Sequence, residues 1–355
     1  MRRKDKKNSY LCSLQKKEFM KRFNIILLCG CVIFGIVSCK KNRFEIADTG
    51  FEQVKIERFD RDLMSIDTAR IVEQIAELRE KYGDFFALYT EKIIPIGNET
   101  SPNYYPLIKG FVNDSMVREI YNEAQLCLGD MSDIERELTI AFGYIRRYFP
   151  NIEIPRVLIH ISGFNYNIVL ADGFLSVGED FYLGDDYEPY LYLENLYEYQ
   201  RRNMYREKIA PNYVYGFLVG EFPMDVFSTR LLENMLYRGK IMYLQTVIMP
   251  NQPQHVLFGF TPETLQWCKD NEQQMWLYIL EKRHLFVNDM FTVAKYLNEA
   301  PFTSFFGNES PGQAAVWLGY RIVKQYMDNN THITLPELMS ETDYQKILEQ
   351  SKYKP

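Results

Sequence analysis

The sequence predicts an α+β fold: a mainly helical body carrying a small, mostly antiparallel sheet. Three observations lead there. Residues 154–184, IPRVLIHISGFNYNIVLADGFLSVGEDFYLG, hold β-rich runs at 157–161, 167–171 and 175–182, parted by Gly163 and by Asp172-Gly173. Asp-Gly between alternating apolar residues is a hairpin signal, because both residues tolerate positive φ. Most of the flanking chain repeats its apolar residues at helical spacing. No repeat period, low-complexity stretch or linker divides the body, which reads as one globular domain.

Taken in order, residues 24–37, NIILLCGCVIFGIV, are the one strongly apolar run, with Lys21-Arg22 before it. The run is shorter than the ~20 residues of a membrane-spanning helix, so it reads as the core of a signal peptide. Ile36-Val37-Ser38-Cys39 resembles a lipobox, in which the cysteine thiol is acylated and cleavage falls just before it. Met20 opens a compact signal of normal shape and is the expected start of translation. The organisation expected is a signal peptide over 1–38, a lipidated tether over 39–53 and a globular domain over 54–355.

Residues 54–63, VKIERFDRDL, alternate apolar and charged residues as an edge strand would. Over residues 65–82, Ile66, Ala69, Val72, Ile75, Ala76 and Leu78 share one helical stripe, and Gly83 suits its stop. A shorter apolar segment follows over 85–94 and ends at Pro95. Helices are expected over 105–126 and 132–148, the second opened by the capping-box pattern Ser132-Asp133-Ile134-Glu135. Beyond the β-rich block, residues 187–205 read as an irregular connection, and 211–221 and 226–247 as apolar helices parted by Phe222-Pro223. Thr261 and Pro262 stand as N-cap and first residue of another helix, which 271–285 continues. Residues 302–311 form a loop, and helices cover 312–327 and 336–351.

With 46% hydrophobic and 15% aromatic residues, the chain can fill a core and still place rings on a surface. Residues 1–39 carry nine basic and two acidic residues, +7, so the remainder holds −13 of a whole-chain −6. An acidic body is repelled by phosphate backbones, which argues against nucleic acid as a partner. Of six cysteines only Cys127 and Cys268 fall in the body, too few for a disulfide scaffold.

The chemistry-bearing residues form no complete catalytic motif, and no catalytic residue is assigned. His160, His255, His284 and His332 are dispersed, without the i, i+4 pairing that puts two imidazoles on one helix face, so neither metal nor other cofactor is expected. His160, inside an apolar strand, reads as a core histidine. Glu179-Asp180 and Asp185-Asp186 are paired carboxylates, but neighbours on a strand point to opposite faces and do not flank a glycosidic bond unaided. The surfaces proposed for binding are Glu179 and Asp180, Tyr182 at the head of a Tyr-rich band over 182–215, and Phe302, Phe305 and Phe306 of the 301–311 loop. Those loop rings are either offered to a partner or folded inward as a plug.

Several blocks resemble one family, the GldB gliding-motility lipoproteins of Bacteroidetes. They are VKIERFDRDL from residue 54, YGDFF over 82–86, the whole 154–184 block, LLENMLYRGKIMYL from 231, WCKDNEQQMW from 267, PFTSFFGNESPGQAAVWLGYRIVKQYM from 301 and the terminal DYQKILEQSKYKP. The resemblance implies an envelope lipoprotein acylated at Cys39, of the outer membrane or, as the alternative, the inner membrane. The basic residues after Cys39 point it toward the periplasm, and its partner would be another envelope protein or a cell-wall component. The family also looks similar to zincin-like zinc peptidases, but the His pair is missing and Arg238 stands where their later motif has Glu. The function implied is a non-catalytic binding or assembly factor linked to gliding in related bacteria. The alternative is a periplasmic hydrolase of peptide or glycan on a peptidase-like scaffold.

Overall fold

The computed structural model describes residues 43–47 and 50–355, so Cys39 and the expected signal peptide lie outside the described residues. The chain divides into two units, Met1–Ile46 and Ala47–Pro355, and the second carries every element named below.

β1 (Ile56–Arg58) opens the fold, and the expected longer strand gives way to α1 (Phe59–Met64). The reason is Phe59, which is fully buried with the rings of Tyr82, Phe85 and Tyr89 at 4.6–5.0 Å. α2 (Ile71–Tyr82) stops at Gly83, whose φ of +54° a side chain would strain. α3 (Asp84–Leu88) continues into a single π turn, Tyr89–Ile93. The single helix expected over 105–126 is two, α4 (Tyr104–Asn113) and α5 (Ser115–Leu128). Asp114 makes the break by accepting the Met116 and Val117 N–H groups as an N-cap.

α6 (Ser132–Tyr148) forms as expected, but its capping box does not. Glu135 instead accepts the Ile56 N–H at 3.0 Å and the Lys55 ammonium at 2.7 Å, fastening β1 to α6. Phe51 and Glu52, expected in the tether, also pack on α6: a Cβ on Gly143 would strike the Phe51 ring, and Arg146 meets Glu52 at 3.1 Å.

The remaining strands are β2 (Arg156–His160), β3 (Ile168–Ala171) and β4 (Phe174–Gly178), in spatial order β1-β2-β4-β3. The sheet is mixed rather than mostly antiparallel: β1–β2 and β2–β4 are parallel, and only β3–β4 is antiparallel. The Asp172-Gly173 hairpin is present, with Ala171 opposite Phe174 and Gly173 at φ +77°. The difference arises upstream. Residues 161–167 carry the chain past the position β4 will occupy, turning through Gly163 and Phe164, both left-handed at φ +66° and +65°. The first two runs therefore never pair. Residues 179–181 then leave the sheet as a 3₁₀ turn.

One face of the sheet meets the ring cluster of α1–α3, where Phe85 contacts both Phe174 and His160. The other is covered by α8 (Ile209–Glu221), which follows the short α7 (Glu198–Arg201); Gly216 of α8 lies on Ile168 and Leu175. α9 (Leu231–Ile248) leads to α10 (Gln254–Phe258), α11 (Pro262–Asp270), α12 (Glu272–Glu281), α13 (Met290–Leu297) and α14 (Ala314–Asn329). Thr261 caps α11 as expected, accepting the Thr264 N–H. The helix expected over 336–351 is split into α15 (Leu335–Ser340) and α16 (Tyr344–Ser351), with Asp343 capping the second. α9 and α14 cross with Gly239 directly against Gly319.

Candidate functional site

The structure places Glu179, Asp180 and Tyr182 in the interior, each at most 1% exposed, so none of the three offers a surface. The 3₁₀ turn after β4 brings Glu179 to Asp60, the buried first-turn acid of α1. Arg58 grips Asp60 with two nitrogens, Nε at 2.9 Å and a terminal nitrogen at 2.5 Å, and the same terminal nitrogen lies 3.5 Å from Glu179. Gln125 of α5 donates to Asp60 at 3.0 Å and to Glu179 at 3.2 Å. One cation among two buried carboxyls leaves an excess of acid. Burial, and then the nearby Asp60 charge, push the Glu179 carboxyl well above the usual range.

Asp180 faces the other way and holds the crossover loop. One of its oxygens accepts the Phe164 N–H at 2.6 Å and the Ser162 N–H and hydroxyl at 3.2 and 3.0 Å. Burial raises its pKa to about 6 against the pull of those donors. His160 is fully buried, with Nδ1 2.7 Å from the Ser176 hydroxyl and Nε2 3.2 Å from the Tyr166 carbonyl. Nε2 faces a carbonyl and must donate, so Nδ1 accepts from Ser176. Burial lowers this imidazole to about 4 and keeps it neutral. These groups staple β2, β4 and the crossover loop.

The 301–311 loop keeps its rings half-buried. Phe305 stacks on Tyr296 at 4.5 Å and meets His284 at 5.3 Å; Phe306 contacts Tyr296 and Tyr278. Thr303 and Ser310 close the loop, Thr303 donating to the Pro311 carbonyl and accepting the Ala314 N–H that opens α14. The rings pack toward Tyr296, Tyr278 and His284 while keeping part of their surface exposed. Phe305→Ala should lower stability by about 2–3 kcal/mol, less than the ~3–5 kcal/mol of a fully buried ring. Thermal melting checks it, and an unchanged melting temperature would return the ring to the list of contact surfaces.

A cavity that can take a ligand lies elsewhere, between α8, α9, α10 and the start of α14, with a volume of about 330 Å³. Pocket-forming proteins hold small ligands in spaces from about 300 Å³ upward. Its polar wall includes Asn167, Asn203, Lys208, Arg238, Gln245 and Glu299, and its rings include Phe181, Tyr215 and Phe258. Gln245, 1% exposed, donates to the Pro211 carbonyl at 2.8 Å while its Oε1 has no partner. Asn167 Oδ1 is likewise buried and unpartnered. Lys208 donates to the Val256 carbonyl at 2.8 Å, and burial lowers its pKa to about 8 despite the counter-pull of Glu299.

Gln313 lines the same space in the left-handed region, φ +52°, just ahead of α14. A non-glycine residue held there is strained, and such strain gathers at ligand clamps. An adjoining space of about 80 Å³ shares Asn203, Gly259, Phe260, Glu299 and Gln313, and reaches Pro301 and Pro311 at the ends of the aromatic loop.

Sequence reading did not find this cavity. The available signal was polar residues inside otherwise apolar helices, Lys208 ahead of IAPNYVYGFLVG and Gln245 inside IMYLQTVIM. Of the Tyr-rich band, Tyr215 lines the larger space and Tyr199 the smaller, whereas Tyr182 and Tyr213 are core. Among the described residues no group of three His, Cys, Asp or Glu side chains is placed to hold a metal ion. No helix of the described residues is long and apolar enough to cross a membrane.

The family described as gliding motility protein GldB matches residues 40–355. No curated protein and no solved structure matches the chain.

Proposed function

The chain belongs to the GldB family of gliding-motility lipoproteins, and from that premise we propose that it is a lipid-anchored, periplasm-facing protein of the outer membrane that binds an envelope component in the cavity between α8, α9, α10 and α14. The role is binding rather than catalysis. The observation that carries it is the pair of buried, unpartnered acceptors, Gln245 Oε1 and Asn167 Oδ1, on the wall of a cavity large enough for a small ligand. Buried polar groups are almost always satisfied, so two orphans on one wall point to a missing donor. The hydrolase reading requires Glu179 and Asp180 to reach a substrate, and both are fully buried.

The test is thermal melting and hydrogen exchange of the full-length protein in detergent, with and without the small-molecule fraction of envelope extracts. A ligand at 100 times its dissociation constant should add about 2.7 kcal/mol of stability. Protection should appear at residues 208–215, 242–245 and 257–260. Protection confined to other segments, or no shift with any fraction, would remove the binding role.

Anchoring is tested separately. Cys39→Ala should yield unprocessed or soluble protein, since each buried acyl CH₂ contributes about 0.8 kcal/mol of membrane affinity. Membrane fractionation and intact mass read the outcome; an unchanged lipid-modified mass would exclude Cys39 as the anchor. The protein should also survive protease treatment of intact cells.

A further inference from the structure

The cavity wall is specific enough to say what class of ligand it suits. Lys208 sits on it, 5% exposed, with an ammonium whose one recorded hydrogen bond goes to the Val256 carbonyl. An ammonium carries three donors, so two remain. No carboxylate of the described residues forms an ion pair with it, although Glu299 lines the same cavity. A buried cation without a paired anion is costly, and an incoming carboxylate relieves that cost. The neighbouring cation, Arg238, is only half-buried and already donates to the Leu297 carbonyl and to Asn298 Oδ1. Lys208 is the buried cation of this wall and the one that gains most from an anion.

The orphan acceptors demand the opposite chemistry. Gln245 donates through its amide N–H to Pro211, and its Oε1, like Asn167 Oδ1, is an acceptor without a partner. Both call for O–H or N–H donors. Phe181, Tyr215 and Phe258 supply flat apolar faces between the polar groups. A volume near 330 Å³ admits one sugar ring or a dipeptide.

We propose that the cavity binds a small carboxylate that also carries O–H or N–H donors, its carboxylate on Lys208 and its donors on Gln245 Oε1 and Asn167 Oδ1. The proposal rests on the binding reading above and adds the ligand class. Two envelope sources share that chemistry, an acidic sugar and the C-terminal end of a short peptide, and the experiment has an arm for each.

Titration calorimetry on the full-length protein in detergent uses glucuronate against glucose, and N-acetyl-alanyl-alanine against its C-terminal amide. At least one acid should bind, at least about 10-fold tighter than its neutral counterpart, as a hydrogen-bonded charge pair requires. Lys208→Met should remove that preference, and Gln245→Leu should weaken the same ligand. A pH series on the unaltered protein covers the case in which a variant does not fold. The titratable and charged groups on the cavity wall are Lys208, Arg238, Glu299 and Tyr215, and burial brings Lys208 down to about 8. Affinity for the acid should fall about 10-fold per pH unit above that point.

Equal binding of acid and neutral partner, or an acid affinity flat from pH 7 to 9.5, overturns the ligand class and leaves the binding reading standing. Binding by none of the four probes also overturns it. If envelope extracts still protect the cavity in that case, only the class is lost; if they do not, the binding reading is lost as well. Waters alone on Gln245 and Asn167 would then account for the orphan acceptors.

Discussion

Gly319→Val should be among the most damaging single substitutions in the protein. A Cβ at Gly319 would stand 2.0 Å from the Met235 carbonyl oxygen, and one at Gly239 would stand 2.3 Å from the Gly319 carbonyl carbon. Backbone lies on both sides of that contact, so no side-chain rotation relieves it. α9 and α14 would have to separate, and they carry Gln245 and Val316 of the cavity wall. Overpacking usually costs ~1–3 kcal/mol, and with rigid backbone on both sides about 3 kcal/mol or more is expected. In a domain of this size that is roughly a 5 °C fall in melting temperature. Gly110→Ala is the control, because nothing lies within 4 Å of a Cβ there. It should be neutral or stabilising by up to ~1 kcal/mol, as usual for glycine inside a helix. Melting of the two variants side by side decides the matter, and a Gly319→Val protein that melts with the parent would show that the crossing is not limited by these glycines.

Arg58→Met should cost about 3–5 kcal/mol, because it leaves Asp60 and Glu179 buried without their cation. The pH dependence identifies the cause. The folded state holds the Glu179 proton above the pH at which an unfolded chain releases it, so this group favours folding at low pH and that contribution fades as pH rises through its folded value. Removing the guanidinium sharpens the same trend, and the deficit of Arg58→Met should be larger at pH 8 than at pH 5. Glu179→Gln keeps a donor toward Asp60 and should change stability by no more than about 1 kcal/mol at neutral pH. In the double variant, Arg58→Met with Glu179→Gln, part of the loss should return. Denaturant melts at the two pH values measure all of this. A deficit that is the same at both would assign the damage to lost packing of the arginine stem and not to charge.

What could be read directly was whatever a few neighbouring residues decide among themselves. Gly83 ends α2 because only its own backbone must turn, and Thr261 caps α11 because its hydroxyl reaches an N–H three residues on. Asp172-Gly173 closes its hairpin for the same reason. The family, too, was legible, since its blocks follow one another along residues 54–355 and the match extends over 40–355. Where a local signal had a competing long-range partner it misled. Ser132 and Glu135 have capping-box spacing, yet Glu135 is taken by Lys55 and Ile56, about 80 residues away.

The sequence by itself therefore determined part of the helix and turn punctuation, the α+β class and the family, while the breaks at Asp114 and Asp343 went unread. Only the tertiary structure decided the strand order, the fate of the carboxylates and the position of the cavity. β4 lies between β2 and β3 because residues 161–167 cross over it, a choice governed by packing on both sheet faces and invisible in the period of the strands. Glu179 and Asp180 look like a solvated pair in sequence; burial against Arg58 from β1 and Ser162 from the crossover loop makes them internal ties. The cavity draws Asn167, Lys208, Gln245 and Gln313 from four separate segments. Each residue alone is an unremarkable polar side chain. Their common environment exists only once α8, α9 and α14 have packed and brought these residues around one space.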